Sequence, residues 1–432
     1  MDAKPATPLS TLLLLTLCVI VAAAGTVWQA WDMFGAKRQS MLQGWDDAFY
    51  YFWLPSVVID HDLDFTNQLG QTDALGARAK REALTQPRTP TGLLPNKYPP
   101  GWAIGSLPFF LAAHAVAPAN STGFEPVYLL TVWCGQLLYA GLGLWLAAGI
   151  LARFFPRDIA PPAVLAGWLA SPLVYYQTAR LYMSHSQVFV LAMAVFWLAL
   201  RAGDGDGRNR HWALLGFCAA LLVATRNIAV VYLVLPAFVA VRHLRSIKAV
   251  AALGLGAVLP AAAQLLAWKI LYGSWLTYSY GGERLDFAHL HLGEVLFSAR
   301  HGWFYWHPLM FIAIAAFIGS ARRQAVGRAW LVSLAVIVLA DAAWPTWWLG
   351  SSFGHRGFEV PTLFAMIGLA ALLRSTATHP LLQRTLKAAT LSAIVWNLVL
   401  FSLFLAQRIP REEAVTYGDV VRALGDWIGS SR

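Results

Sequence analysis

The chain has 432 residues, of which 58% are hydrophobic and 12% charged, with 20 Trp, and its mean hydropathy is +0.54. A soluble fold of that length could not cover so much apolar surface, and many runs reach the length a bilayer core demands, so an all-α polytopic membrane protein is expected. The net charge of +10 then reports topology and anionic headgroups, and nucleic acid is excluded as a partner because no basic stripe interleaves with aromatics on a soluble face.

The first apolar run, about 9–29, follows Lys4 and continues into Val27 and Trp28. That continuation favours a retained first span over a cleaved signal peptide. Behind it lies GWDDAFYYFWLPSVVIDHDLDFTN, Gly44 to Asn67, with Asp46, Asp47, Asp60, Asp62 and Asp64 among only 22 acidic residues in the chain. Trp45, Phe49, Phe52, Trp53 and Val57 recur at helical spacing, which predicts a short amphipathic juxtamembrane helix carrying Asp46 and Asp47 at the interface. A carboxylate there serves a site or simply complements the dipole of the helix.

Further apolar segments fall at about 101–117, 126–151, 161–176, 185–201, 211–225, 228–242, 248–271, 303–320, 328–344, 358–374 and 388–407. The run at 101–117 is short, follows Tyr98-Pro99-Pro100 and contains Pro108. If it does not cross, the loops 1–8, 151–160, 201–212, 241–248, 319–328 and 374–387 share one side with 1, 2, 3, 3, 3 and 3 basic residues. About eleven crossings with the N-terminus cytoplasmic and the C-terminus outside therefore satisfy the positive-inside pattern, and the basic residues of the long first outer loop weigh little against it. Cys18, Cys134 and Cys218 lie inside apolar runs and read as small core residues, with no disulfide expected.

The outer face then holds the loop 30–98, the Tyr-, His- and Gly-rich loop 272–302, and the aromatic loop WPTWWLGSSFGHRGFE. The cytoplasmic loops are short and plainly charged, which places function outside. The implied organisation is a transmembrane catalytic module at 1–271 including that first loop, C-terminal helices at 272–407 with outer loops 272–302 and 344–358, and a short amphipathic outer-face tail at 408–432. No internal repeat and no matched pair of broken helices points to a secondary transporter.

Single arginines, Arg180, Arg226, Arg284, Arg300 and Arg356, lie at or near the outer ends of spans, where a guanidinium suits a lipid phosphate or else snorkels to headgroups. Lys97, in Asn96-Lys97-Tyr98-Pro99-Pro100-Gly101, is held where prolines fix the re-entering backbone, and it too either meets a phosphate or snorkels. His185, His289, His291, His301, His307 and His355 show no metal-ligand spacing, so no metal residue is assigned, although a divalent cation with Asp47 and histidine stays open.

Together these pieces resemble the GT-C superfamily of glycosyltransferases, in particular bacterial relatives of the protein mannosyltransferases that use dolichyl-phosphate-mannose and of the lipid A aminoarabinose transferase. Asp46-Asp47 is similar to the family's acidic pair, more often Asp-Glu. Lys97-Tyr98-Pro99-Pro100 resembles its lysine-proline-proline motif with one residue inserted, and Thr225-Arg226-Asn227 its Thr-Arg-Pro. Where the family often has an aspartate at the start of the fifth span, this chain has His185, and no carboxylate role is carried onto it.

The resemblance implies inverting transfer of a sugar from a polyprenyl-phosphate donor to a glycan, lipid or protein acceptor, on the non-cytoplasmic face of a bacterial inner membrane. Asp46 or Asp47 would be the base. Lys97, Arg180, Arg226, Arg284, Arg300 and Arg356 would hold the donor phosphate, and Tyr98, His185, Glu283, His301 and His355 would line a groove open to membrane lipids. Such a reaction needs no nucleotide and, in principle, no cofactor. A polysaccharide ligase or polymerase, or a transporter or flippase of a lipid-linked sugar, are the alternatives. The first would not need an acidic pair after the first span. The second would want ionisable groups at mid-membrane, whereas Lys269, Asp341 and Glu359 stand near span ends.

Overall fold

The computed structural model describes residues 8–35, 41–203, 209–243, 246–322 and 325–430. Lys37 and Arg38, most of loop 1–8 and parts of the basic loops 201–212, 241–248 and 319–328 lie outside those residues, as does the end of the tail. Among the described residues there are helices and no strands. The expected all-α polytopic architecture with juxtamembrane helices is what the chain adopts.

From the N-terminus run α1 (Pro8–Gly35), the short α2 (Trp45–Tyr51) and α3 (Trp53–Pro55), a π-helical turn (Ser56–Asp60), α4 (Thr66–Gln71), α5 (Ala77–Thr85), α6 (Gly101–His114) and α7 (Pro126–Leu151). Then come α8 (Ala160–Leu169), α9 (Leu173–Tyr176), α10 (His185–Gly203), α11 (Asn209–Thr225), a 3₁₀ segment (Asn227–Leu233), α12 (Val234–His243) and α13 (Ile247–Tyr272). The remainder is α14 (Leu292–Phe297), α15 (Trp303–Trp306), α16 (Pro308–Ala321), α17 (Ala325–Ala342), α18 (Thr362–Ser375), α19 (Pro380–Leu405) and α20 (Tyr417–Ser430).

Every predicted apolar run carries helix, those at 161–176 and 303–320 being broken in two at 170–172 and at 307, and among the described residues five stretches are long and apolar enough to cross a bilayer: Thr11–Trp31, Pro126–Leu151, His185–Ala202, Ile247–Tyr272 and Pro380–Leu405. Helix ends follow local chemistry. Pro308 and Pro380 open α16 and α19, where a missing N–H has no helical partner to lose. Gly273, at φ 73°, closes α13 with its N–H on the carbonyl of Lys269.

The described residues pack as two compact units. One comprises 21–143 and 176–282. Its apolar core runs through Phe49, Tyr51, Phe52, Trp53, Trp102, Phe110, Trp133 and Tyr182, all buried. The helix carrying Asp46 and Asp47 is therefore not the one-sided interfacial helix expected. Residues 47 to 51 are all buried, because the 94–102 segment, Phe124 and Tyr182 cover the sides that a surface helix would give to water. Burial of each such aromatic side chain is worth about 1.5–3 kcal/mol. In the same unit α11 and α13 meet at glycines facing backbone, Gly216 on Leu253 and Gly256 on Ala213, so no Cβ fits at either position.

The other unit comprises 1–20, 144–175 and 283–432. Gly368 of α18 abuts the backbone of α16 at Ala313, Gly167 of α8 faces Met366, and Phe364 stacks on Phe317 at 5.2 Å. Asn397 of α19 donates to the carbonyls of Leu169 (2.7 Å) and Ser171 (3.0 Å), satisfying the end of α8. The three cysteines are free. Cys18 is buried, but Cys134 is exposed on α7, contrary to the core position expected of it, because an apolar helix face can lie on the outside of the fold as well as in its core.

Candidate active site

Gly44 starts the site. Its φ of 84° is open only to glycine, and its N–H donates to the carbonyl of Ala74, so the chain turns sharply into α2 with both carboxylates in the first turn. Their environments then diverge. Asp47 is fully buried, and the side chain of Arg180 is 9% exposed. Arg180 grips Asp47 with two hydrogen bonds, Nε to Oδ2 at 3.2 Å and Nη2 to Oδ1 at 3.0 Å. Arg180 Nη2 also donates to the carbonyl of Gln43 (2.5 Å), whose own N–H donates to Asp47 Oδ2 at 2.9 Å. Burial pushes the Asp47 carboxyl up to about 6, and the pull of Arg180 offsets only part of that. At neutral pH Asp47 is still ionised, in a bidentate pair.

Asp46 is half-buried and accepts a hydrogen bond from the hydroxyl of Tyr98. Burial, then the neighbouring Asp46, holds the Tyr98 phenol well above its ordinary range, so it stays a donor. The Tyr98 ring lies 4.7 Å from that of Tyr50. The segment around it is tied on every side. Asn96 donates to the carbonyl of Phe49 (2.9 Å), Trp53 to that of Tyr98 (3.1 Å), and Tyr272, at the end of α13, to that of Asn96 (3.0 Å). Lys97 holds its ammonium over two rings, 5.6 Å from the centroid of Tyr98 and 5.5 Å from that of Tyr280, and its carbonyl accepts from Ser279 (2.9 Å). This unit thus brings together Asp46, Asp47, Lys97, Tyr98 and Arg180 from three stretches of chain.

Arg226 enters the same unit through its neighbour. Gly101, at the start of α6, lies against the backbone of Ala224 and Thr225, which sets the end of the Lys97–Gly101 segment beside the residues that lead into Arg226. Arg226 itself is partly exposed, in extended conformation between α11 and the 3₁₀ segment. His185 is 2% exposed with its ring 4.5 Å from that of Tyr176, so it is packed into the unit at the start of α10.

The remaining candidates belong to the other unit. His301, at φ 65°, hydrogen-bonds through Nδ1 to the carbonyl of Trp348 (2.7 Å). Burial, aided by the charges of Arg300 and Arg356, pushes it down to about 4, so it is neutral at physiological pH. The guanidinium of Arg300 lies 3.9 Å above the Trp348 ring and donates to the carbonyl of Glu412 (2.5 Å). His355 is buried, with Nε2 on the carbonyl of Trp347 (2.9 Å), and Arg356 opens the 3₁₀ turn that leads into α18. Glu283 is partly buried and Arg284 exposed, in a loop docked on the end of α17 by the N–H groups of Asp286 and His291.

Among the described residues no three His, Cys, Asp or Glu side chains are grouped as a metal would require. Sequence reasoning missed Gln43 and Tyr280, which complete the surroundings of Asp47 and Lys97. Neither carries a local signal, since each acts through a contact distant in sequence.

The arrangement of helices is a GT-C-like fold. The crystal structure of ArnT from Cupriavidus metallidurans bound to undecaprenyl phosphate superposes with a TM-score of 0.50 at 14% identity, covering 98% of this chain and 76% of that one. The apo structure of the same protein gives 0.46 at 14% identity over 96% and 75%. No family model matches the sequence, and no curated protein does.

Proposed function

We propose that the chain is a membrane glycosyltransferase that moves a sugar from a polyprenyl-phosphate donor to an acceptor hydroxyl on the non-cytoplasmic face, with inversion. The observation that carries this is the divergence of two adjacent carboxylates beside Lys97. Asp47 is committed to Arg180, while Asp46 is half-open and oriented by Tyr98. In this reading Asp46 takes the proton of the acceptor hydroxyl as its oxygen bonds to the anomeric carbon. The bond from that carbon to the phosphate oxygen breaks, and a lipid phosphate monoester leaves with one more negative charge.

Lys97 and Arg226 meet that growing charge, and Asp47 with Arg180 fixes the helix that presents Asp46. Arg284, Arg300 and Arg356 are further candidates for the phosphate, and Glu283, His185, His301 and His355 for the groove. The fold shared with ArnT, whose crystal structure holds undecaprenyl phosphate, supports a lipid-linked donor. We retain eleven crossings with the N-terminus cytoplasmic, the catalytic module within 1–271, and a bacterial inner-membrane location. The chemistry asks nothing of a metal, and a divalent cation would at most add to the positive field.

The test is transfer from a panel of radiolabelled polyprenyl-phosphate sugars by purified protein in lipid. Label should move to an acceptor or to water, and Asp46→Asn should cut turnover by about 10²–10⁴-fold. Donor binding with no transfer from any sugar, and an Asp46→Asn variant equal to wild type, would shift the assignment to a transporter or a ligase.

A further inference from the structure

Helix α6 meets α10 and α11 through a glycine face. Gly101 and Gly105 are one turn apart. A Cβ on Gly101 would strike the backbone of Ala224 and Thr225, and one on Gly105 would strike the side-chain amide of Gln187. That amide is 1% exposed, and its Nε2 donates both to the carbonyl of Gly101 (2.8 Å) and to the hydroxyl of Thr225 (3.2 Å). The Thr225 hydroxyl spends its own hydrogen on the carbonyl of Leu221 (2.7 Å), so toward Gln187 it can only accept. Behind it Gln136 donates through Nε2 to the hydroxyl of Ser106 (2.8 Å) and, at 3.5 Å, to Oε1 of Gln187.

We infer that Gln187 is a positioning residue for the donor phosphate, a tie that fixes the spacing between Lys97 and Arg226. This rests on the reading above in which both cations meet that phosphate. Lys97 stands four residues before Gly101, and Pro99 and Pro100 between them, each of fixed φ, stiffen the stretch through which a shift at Gly101 reaches Lys97. Arg226 directly follows Thr225. One buried amide therefore bonds to the base of both cationic segments, and glycine at 105 leaves it room to do so. Any buried amide must find partners; here both lie at the bases of the two cationic segments, and a glycine stands opposite the amide.

The experiment measures binding of undecaprenyl phosphate to the full-length protein in lipid nanodiscs. Gln187→Leu removes both donors. Gly105→Ala leaves every polar group in place and only pushes the amide aside. Each should weaken binding roughly tenfold, with the thermal unfolding midpoint close to that of wild type. Adding Lys97→Ala or Arg226→Ala to Gln187→Leu should weaken binding by less than it does in the wild-type background, since the tie acts through those cations. Wild-type affinity in both single variants, or losses that multiply independently, overturns the tie while leaving the transferase reading intact. A wild-type protein that does not bind the lipid phosphate overturns that reading, and the tie with it.

Discussion

The Asp47–Arg180 pair gives a prediction that separates two views of a buried ion pair. Asp47 titrates near 6 in the fold against an ordinary 3.8, and burial is the main cause. At 1.36 kcal/mol per unit, holding it ionised at pH 7 costs the fold about 3 kcal/mol relative to the unfolded chain. The sign follows from proton binding. The folded state binds the proton more tightly, so the contribution of Asp47 to stability is full below about pH 4 and is lost as pH rises through about 6. Asn at 47 keeps the shape and still accepts a hydrogen bond from Arg180 or Gln43, without the charge. Asp47→Asn should therefore match wild type at pH 4 and equal or exceed it at pH 7, by up to about 3 kcal/mol, while activity falls. Asp47→Leu removes every acceptor and leaves the Arg180 guanidinium with the Gln43 carbonyl, at a cost of about 3–5 kcal/mol. SDS titration in mixed micelles, followed by tryptophan fluorescence at pH 4, 5, 6 and 7, reads all three proteins. If Asp47→Asn were as damaged at pH 7 as Asp47→Leu, the charge itself would be stabilising and the reasoning would fail.

Tyr98→Phe keeps the ring against Tyr50 and removes only the hydroxyl that orients Asp46, so turnover should fall about tenfold with stability changed by no more than about 1 kcal/mol. Steady-state kinetics beside a melting curve would decide it, and unchanged turnover would remove Tyr98 from the site. Gly101→Ala forces a methyl into the backbone of Ala224 and Thr225 and should destabilise by about 1–3 kcal/mol, measured by the same SDS titration. Arg356→Ala should raise KM for the donor and leave KM for the acceptor within about twofold, the signature of lost ground-state binding. The opposite split would assign Arg356 to the acceptor.

The helices were readable from apolar periodicity because a bilayer leaves the backbone no alternative to internal hydrogen bonds, so run length alone marks a span. The run expected at 126–151 is α7, Pro126–Leu151, and that expected at 248–271 is α13, Ile247–Tyr272. Where the reading failed, the cause was tertiary. Trp45, Phe49, Phe52 and Trp53 fit an amphipathic pattern, but Tyr50 and Tyr51 on the supposed polar side are apolar in bulk and find ring partners in Tyr98 and Phe124. A tyrosine counts as polar in a one-dimensional pattern and as core once its hydroxyl has a partner, as that of Tyr51 has in the carbonyl of Gly123 (2.5 Å). Cys134 fails in the opposite sense, because an apolar run in a membrane does not say which face meets lipid.

At the site, composition pointed to the acidic pair but treated its two members as equivalent. They are adjacent, and on a helix adjacent residues point about 100° apart, so one can face an interior and the other a cleft. Which faces which is decided by Arg180, 133 positions away, and by Tyr98, 52 positions away, and no local rule reaches that far. As a lone arginine at a span end Arg180 suits a lipid phosphate, and the same isolation suits it to a buried carboxylate. The choice is one of geometry. Asp47 already offers its guanidinium two oxygens in the plane a phosphate would use, and Gln43 takes the third bond. A fork so occupied has little left for a substrate, so in the proposed reaction Arg180 serves the base through its helix, and Lys97 and Arg226 are left to answer the charge of the leaving group.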